Sequence, residues 1–186
     1  MVTLTTVQSE ADVAGILALQ RANLRRNVAA DVQANQGFVT VEHDSAVLLR
    51  MNQAAPSVVA KDGDTVVGYA LTMLPTFADD VPELRPLFAS IHALKYAGKP
   101  LREQAYYVMG QICIADGYRG RGLFDGLYKH HRTVYGDRYQ LLITDISSAN
   151  SRSLRAHERM GFRPLHSFHD PVLNETWVIV VWDWTL

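Results

Sequence analysis

The chain has one cysteine in 186 residues, so no internal disulfide can form and its stability cannot rest on cross-links. Cys113 lies in an apolar strand pattern, the usual setting of a buried structural thiol. Long apolar runs are also missing. The first residues, Met1-Val2-Thr3-Leu4-Thr5-Thr6-Val7-Gln8, contain neither a basic region nor an apolar stretch. A secretory leader and a membrane span are therefore not expected, and the expected compartment is the cytoplasm. Neither charge sign is in excess, with 18 Lys plus Arg against 19 Asp plus Glu and a net charge of −1. That balance argues against nucleic acid or an anionic membrane as the main partner. Metal-ligand spacing is absent as well. His130-His131 and the pair His166 and His169 invite attention, yet no Cys or carboxylate completes a set, so no metal is expected.

What is present suits one globular core. With 48% apolar residues, residues 1–186 are expected to form a single domain. Residues 2–7 read as a strand, and Ser9 followed by Glu10-Ala11-Asp12 starts a helix with Val13, Ile16, Leu17 and Leu24 on one face. Residues 37–44 read as extended, and 45–54 as a helix that Pro56 ends. Ser57–Ala60 and Thr65–Met73 flank Lys61-Asp62-Gly63-Asp64, a hairpin signal. Residues 75–100 contain four prolines around a helical patch at 87–96 and read as an insertion beside the sheet. Next come a strand at 106–114, a helix at 122–135, a strand at 141–146, a helix at 150–160 and a terminal strand at 176–184. The expected fold is α/β, a mixed and mostly antiparallel sheet flanked by helices. Trp177, Trp182 and Trp184 in the last strand are expected to fill core, and pairing of that strand across a homodimer is open.

The most informative stretch is Ile112-Cys113-Ile114-Ala115-Asp116-Gly117-Tyr118-Arg119-Gly120-Arg121-Gly122-Leu123-Phe124. It runs an apolar strand into a Gly-rich, doubly basic turn that opens a helix. The first N–H groups of a helix lack intrahelical partners and the helix dipole is positive there, so such a turn is suited to hold phosphates. Gly120 and Gly122 remove Cβ atoms that would hold a pyrophosphate away, while Arg119 and Arg121 add charge. A second block follows at Asn150-Ser151-Arg152-Ser153-Leu154-Arg155-Ala156-His157-Glu158-Arg159-Met160-Gly161-Phe162.

Together the two blocks resemble the GCN5-related N-acetyltransferase (GNAT) family. Its first signature, Gln/Arg-x-x-Gly-x-Gly/Ala, falls on Arg119, Gly122 and Phe124, and the second on Asn150, Ser153, His157 and Gly161-Phe162. Two positions depart from it. Phe124 stands where a small residue is usual, and its place on the apolar helix face with Leu127, Tyr128 and His131 turns it from the cradle. His157 stands where tyrosine is frequent.

The resemblance implies acetyl-CoA as co-substrate, bound through Ile112, Ile114, Arg119, Gly120, Arg121, Gly122, Leu123, Phe124, Asn150 and Ser153. A backbone N–H near Cys113 or Ile114 would polarise the thioester carbonyl. His157, two helical turns after Asn150, is the expected proton donor to the departing thiolate. No base is evident: 107–114 contains no acid, Glu42 and His43 lie in a segment that could line the acceptor site but read more readily, like Glu103, as ordinary surface residues, Gln111 can orient a group but not take its proton, and a water chain carrying the proton to bulk is equally consistent. Asp145, at a strand end, faces an amine or caps a turn. Arg21, Arg25 and Arg26 read as a solvated helix end, with Arg25 or Arg26 available to an acidic acceptor.

The expected activity is direct acetyl transfer to a primary amine, on a small molecule or a peptide. Cys113 is not needed as a nucleophile. Two rivals are a non-catalytic acyl-CoA-binding module, suggested by the missing base, and a nucleotide-binding protein of another fold. The latter is opposed by the absence of Lys-Ser/Thr after the glycines.

Overall fold

The computed structural model describes residues 1–29 and 38–186. The fold is mixed α/β, with mostly antiparallel strand pairing and five described helices: α1 (Glu10–Asn23), α2 (Ser45–Ala54), α3 (Arg85–Ala93), α4 (Leu123–Tyr135) and α5 (Ser151–Met160). Two compact units are traced, Met1–Met73 with Met109–Val134, and Leu74–Val108 with Tyr135–Leu186.

In the first unit, β1 (Val2–Thr6) pairs antiparallel with β2 (Val58–Asp62), from Val2 opposite Asp62 to Thr6 opposite Val58. Strand β2 pairs antiparallel with β3 (Thr65–Met73) through the hairpin read from the sequence. Helix α1 starts where its cap places it: Ser9 Oγ accepts the Asp12 N–H at 3.2 Å, and Asp12 Oδ2 accepts the Gln8 N–H at 2.9 Å. Val13, Ile16 and Leu17 are buried. Gly15 permits the approach to β3, since a Cβ there would stand 2.8 Å from Val66 Cγ2. Asp44 caps α2 by accepting the Ala46 and Val47 N–H groups on Oδ1 at 2.9 and 3.1 Å.

Residues 37–44 read as extended; among those described no strand forms, and Asp44 has extended φ and ψ of −64° and 140°. Gly37 lies outside the described residues, and of 38–44 only Val39 bridges, in parallel with Leu24. The Val39 N–H donates to the Asn23 carbonyl at 3.0 Å and its carbonyl accepts the Arg25 N–H at 2.9 Å, while Gln20 and Gln111 side chains hold His43 and Val41.

In the second unit, the first residues of β6 (Tyr106–Ile114) run parallel to β7 (Leu141–Ser147), Tyr106 to Val108 facing Leu141 to Ile143. Strand β9 (Glu175–Asp183) pairs antiparallel with β7 on one side and with β8 (Arg163–Asp170) on the other. The sequence reading had no β8. Its residues are mostly exposed and polar and it pairs only with β9, so no apolar alternation marks it; the register shifts between Pro164 and His166. The helix expected at 87–96 is shorter at its end: α3 stops at Ala93, and Lys95–Tyr96 (β4) turns back onto Lys99–Pro100 (β5). Ala97 and Gly98, at φ 48° and 80°, make that turn. Tyr107, Tyr135, Tyr139 and Trp184 form an aromatic core, with Tyr107 centroids 5.0 to 5.9 Å from the other three.

Candidate active site

The phosphate-cradle residues lie in the first unit. Strand β6 ends at Ile114, the turn follows, and α4 begins at Leu123, with the Gly122 carbonyl accepting the Gly126 N–H at 3.0 Å. Gly117, Gly120 and Gly122 have φ of 79°, 74° and 77°, and a Cβ at any of them would meet nothing within 4 Å. The glycines are therefore present for backbone conformation, and the turn leaves open space beside it.

The two arginines differ from the simple picture of added charge. Arg119 Nε donates to the Ile114 carbonyl at 3.1 Å and its Nη2 to Asn23 Oδ1 at 2.8 Å, bracing the turn against β6 and the end of α1. Arg121 lies exposed, with its guanidinium 5.0 Å from the Tyr118 ring centre, and the Tyr118 hydroxyl donates to Asp62 Oδ2 at 2.9 Å. Phe124 is half-buried, its ring edge-on to Tyr128 at 5.1 Å. Ile112 and Ile114 are half-buried on β6, alternating with buried Gln111 and Cys113. Burial pushes the Cys113 thiol up to about 12, despite the pull of Arg119, the Ile114 N–H and the Tyr69 hydroxyl. A thiol buried in this way is poorly suited to act as a nucleophile at neutral pH.

Behind β6 is a buried polar group. Gln111 Oε1 accepts from Tyr69 Oη at 2.5 Å and from Gln20 Nε2 at 2.7 Å. Gln20 Nε2 also lies 2.9 Å from His43 Nδ1, and Gln20 Oε1 accepts the His43 N–H at 2.8 Å. Gln111 Nε2 donates to the Val41 carbonyl at 3.0 Å. His43 is thus not the surface residue expected but 4% exposed, and burial lowers its pKa to about 4. Glu42 is exposed and bound by Arg21 and Arg26, whose hydrogen bonds hold it below the usual carboxylate range. Arg26 is therefore not held in reserve for an acidic acceptor, and Arg25 stacks on Phe38 at 4.7 Å.

The second unit carries the other expected residues. Asn150 caps α5, its Oδ1 accepting the Ser153 N–H at 3.1 Å. His157 is 1% exposed, its Nδ1 2.8 Å from the Ser153 carbonyl and its ring edge-on to Phe162 at 5.1 Å. A carbonyl only accepts, so Nδ1 carries the proton of the neutral ring. Burial lowers the pKa to about 4, and the ring is neutral at rest. A neutral ring of that tautomer gives a proton from Nε2 only after gaining one there. Asp145 is half-buried on β7, and burial pushes its carboxyl up to about 7. Among the described residues no three His, Cys, Asp or Glu side chains cluster to hold a metal. His131 is buried, its Nε2 3.0 Å from the Ala70 carbonyl.

The sequence pattern of the acetyltransferase (GNAT) family matches residues 27–162, well over half of the chain. The chain belongs to that family. No curated protein matches it. Several solved structures are similar to this GNAT chain. One is the crystal structure of the NatC complex bound to Gag peptide and CoA, 12% identical, covering 98% of both chains at a TM-score of 0.68. Another is the ribosomal-protein-S18-alanine N-acetyltransferase from Escherichia coli, 10% identical over 98% of this chain and 94% of that one, at 0.63. A third is yncA from Salmonella typhimurium, a putative acetyltransferase with its cofactor acetyl-CoA, 14% identical over 99% and 94%, also at 0.63. At these identities the likeness establishes the fold. Among the described residues of this GNAT chain, no helix is long and apolar enough to cross a membrane.

Sequence reasoning named His43 and Gln111 but read His43 as a surface residue and missed the network that joins them, because Gln20, Tyr69 and Gln111 sit on three elements that no local pattern connects. A faint signal existed in Gln20 and Gln111, polar residues at buried positions of otherwise apolar faces. Asp145 was visible as the one acid in the apolar run Leu141-Leu142-Ile143-Thr144-Asp145-Ile146, but its raised pKa depends on burial that the run cannot display.

Proposed function

We propose that this chain transfers an acetyl group from acetyl-CoA to a primary amine directly, with no covalent enzyme intermediate. The observation that carries this reading is the open turn from Gly117 to Gly122 at the start of α4, with three glycines in left-handed conformations and free space where Cβ atoms would stand. Backbone donors of Gly120, Arg121, Gly122, Leu123 and Phe124 suit the pyrophosphate there. Arg119 serves by holding the turn in shape and Arg121 by its charge. Ile112 and Ile114 line the strand along which the pantetheine arm lies, and Asn150 and Ser153 complete the cofactor contacts. Membership of the GNAT family supports acetyl transfer, and the yncA structure with acetyl-CoA supports the choice of donor.

In the transfer, the amine lone pair attacks the thioester carbonyl carbon while an N–H at Cys113 or Ile114 takes the growing charge on oxygen. The C–S bond then breaks, the amine loses a proton and the thiolate gains one. Asp145 is the proposed acceptor of the amine proton, since a carboxyl held near 7 is matched to that task at neutral pH, unlike the ion-paired Glu42. His157 remains the proposed donor. Because its ring is neutral at rest, the proton it gives must reach it during the reaction.

Calorimetric titration with acetyl-CoA, followed by thiol release over a panel of amines, tests the reading. Micromolar binding and turnover are expected. With Asp145 as base, kcat/KM rises with pH through about 7, and this rise disappears in Asp145→Asn with binding retained. Binding without turnover on any amine would return the chain to an acyl-CoA-binding module.

A further inference from the structure

The hydrogen bonds around His43 determine which of its ring nitrogens carries the proton. The His43 backbone N–H can only donate, so the Gln20 atom 2.8 Å away is the carbonyl oxygen, and Gln20 Nε2 must be the donor facing His43 Nδ1. A second backbone anchor fixes the other amide. The Val41 carbonyl can only accept, so Gln111 turns Nε2 to it and Oε1 to Gln20 and Tyr69. Both hydrogens of Gln20 Nε2 are then used, one on Gln111 Oε1 and one on His43 Nδ1. Nδ1 is an acceptor, and the proton of the neutral ring is on Nε2. That Nε2–H is buried and has no hydrogen-bond partner. An orphaned buried donor is costly and uncommon, and three residues from three elements hold this one in place.

We infer that His43 is a specificity-determining residue whose Nε2–H donates a hydrogen bond to a neutral carbonyl oxygen on the acyl acceptor, next to the amine. This rests on the acetyl-transfer reading and narrows it. Two hydrogen bonds link the His43 ring to Gln111, which directly precedes Ile112 and Cys113 on the strand proposed to hold the thioester. The ring offers a single neutral donor: burial keeps it uncharged, and the neighbouring Arg21 and Arg26 are bound to Glu42. A carboxylate buried against one neutral N–H would lose more in hydration than it regained. An amide or peptide carbonyl fits that donor. The favoured acceptor class is therefore an α-amino amide, as in an amino-acid amide or a peptide N-terminus, over a polyamine or a free amino acid. Since the ring is 4% exposed, an acceptor oxygen reaches Nε2 only by displacing part of the packing around it.

The test uses the full chain, a matched pair of amines and two readouts. Alaninamide and isopropylamine share the amine and one methyl, and differ in an amide against a second methyl. Thiol release is expected to favour alaninamide in kcat/KM at least tenfold, with most of that ratio lost in His43→Leu and partly kept in His43→Gln, which retains an N–H donor. Nitrogen-15 NMR of histidine-labelled protein with CoA bound is the second readout. It should show His43 protonated on Nε2, with a resonance moved by alaninamide and not by isopropylamine. Equal turnover of the two amines, a ratio unchanged in His43→Leu, or a bare Nε2 would overturn the inference. If neither amine is acetylated, the NMR response decides, and an Nε2–H indifferent to alaninamide rejects it. Failure of the wild-type chain to bind acetyl-CoA is a separate result and overturns the function beneath it.

Discussion

The two blocks that mark the family differ in what they do with their polar groups. From Ile112 to Phe124, the glycines put backbone in left-handed conformations next to open space, and the Arg119 side chain is spent on keeping the turn in place. From Asn150 to Phe162, the polar atoms turn inward. Asn150 caps Ser153, His157 bonds back to the Ser153 carbonyl, and Gly161 closes the helix, with its N–H on the Glu158 carbonyl and the Phe162 N–H on that of His157. Equally conspicuous motifs can therefore carry opposite duties. The first leaves open space beside its backbone, while the second spends several of its polar atoms on its own helix.

The strongest way to break this comparison is Gly122→Asp. It forces a side chain into φ of 77° and sets a carboxylate beside the proposed phosphates. Calorimetry should show acetyl-CoA binding weakened at least hundredfold, about 3 kcal/mol, with urea denaturation showing a much smaller loss of stability. Undiminished binding would mean that the turn is not the cradle.

Acid titration probes the buried histidines, of which His157 belongs to the inward block. His43, His131 and His157 are each held near 4, below the ordinary value of 6.5. Between pH 6.5 and 4 the unfolded chain takes up protons on them that the folded chain refuses, so the stability present above 6.5 is lost as pH falls. Each is worth up to about 3 kcal/mol. Asp145, raised from 3.8 to about 7, works in the opposite direction and offsets about one of them, because its contribution is lost as pH rises through that window. Urea midpoints at pH 7 and 5 should fall in the wild type and fall less in His157→Gln, which keeps a donor but does not titrate.

Gly161→Ala sharpens the contrast at smaller scale. With φ of 103° and a Cβ that would lie 3.0 Å from Trp182 Nε1, it should cost about 2 kcal/mol of stability. Affinity of the folded protein for acetyl-CoA should be unchanged. Asn150→Ala removes a helix cap worth about 1 kcal/mol. A loss of acetyl-CoA affinity beyond the roughly fivefold matching that figure would show that the amide also reaches the cofactor.

Most of the elements were legible because their signals are local. Ser9 and Asp44 cap where their side-chain chemistry permits, Pro56 follows the end of α2, and β6 runs from Tyr106 to Ile114 as its apolar pattern indicates. Strand β8 was not, since a polar edge strand has no buried face to create alternation. The ribbon at Lys95–Pro100 was absorbed into a helix because its turn uses Ala97 in a left-handed conformation that no residue preference announces.

The sequence by itself determined the family, most of the order of elements and the glycine turn, for each depends on residues close together in the chain. Tertiary structure decided how the ionisable residues behave. A histidine is neutral or charged, and a carboxyl is spent or poised, according to solvent exclusion and to partners tens of residues away. His43 joined to Gln20 and Gln111, Glu42 held by two arginines and Asp145 raised by burial are all of that kind. Only packing supplies the low dielectric and the fixed donors that make those differences.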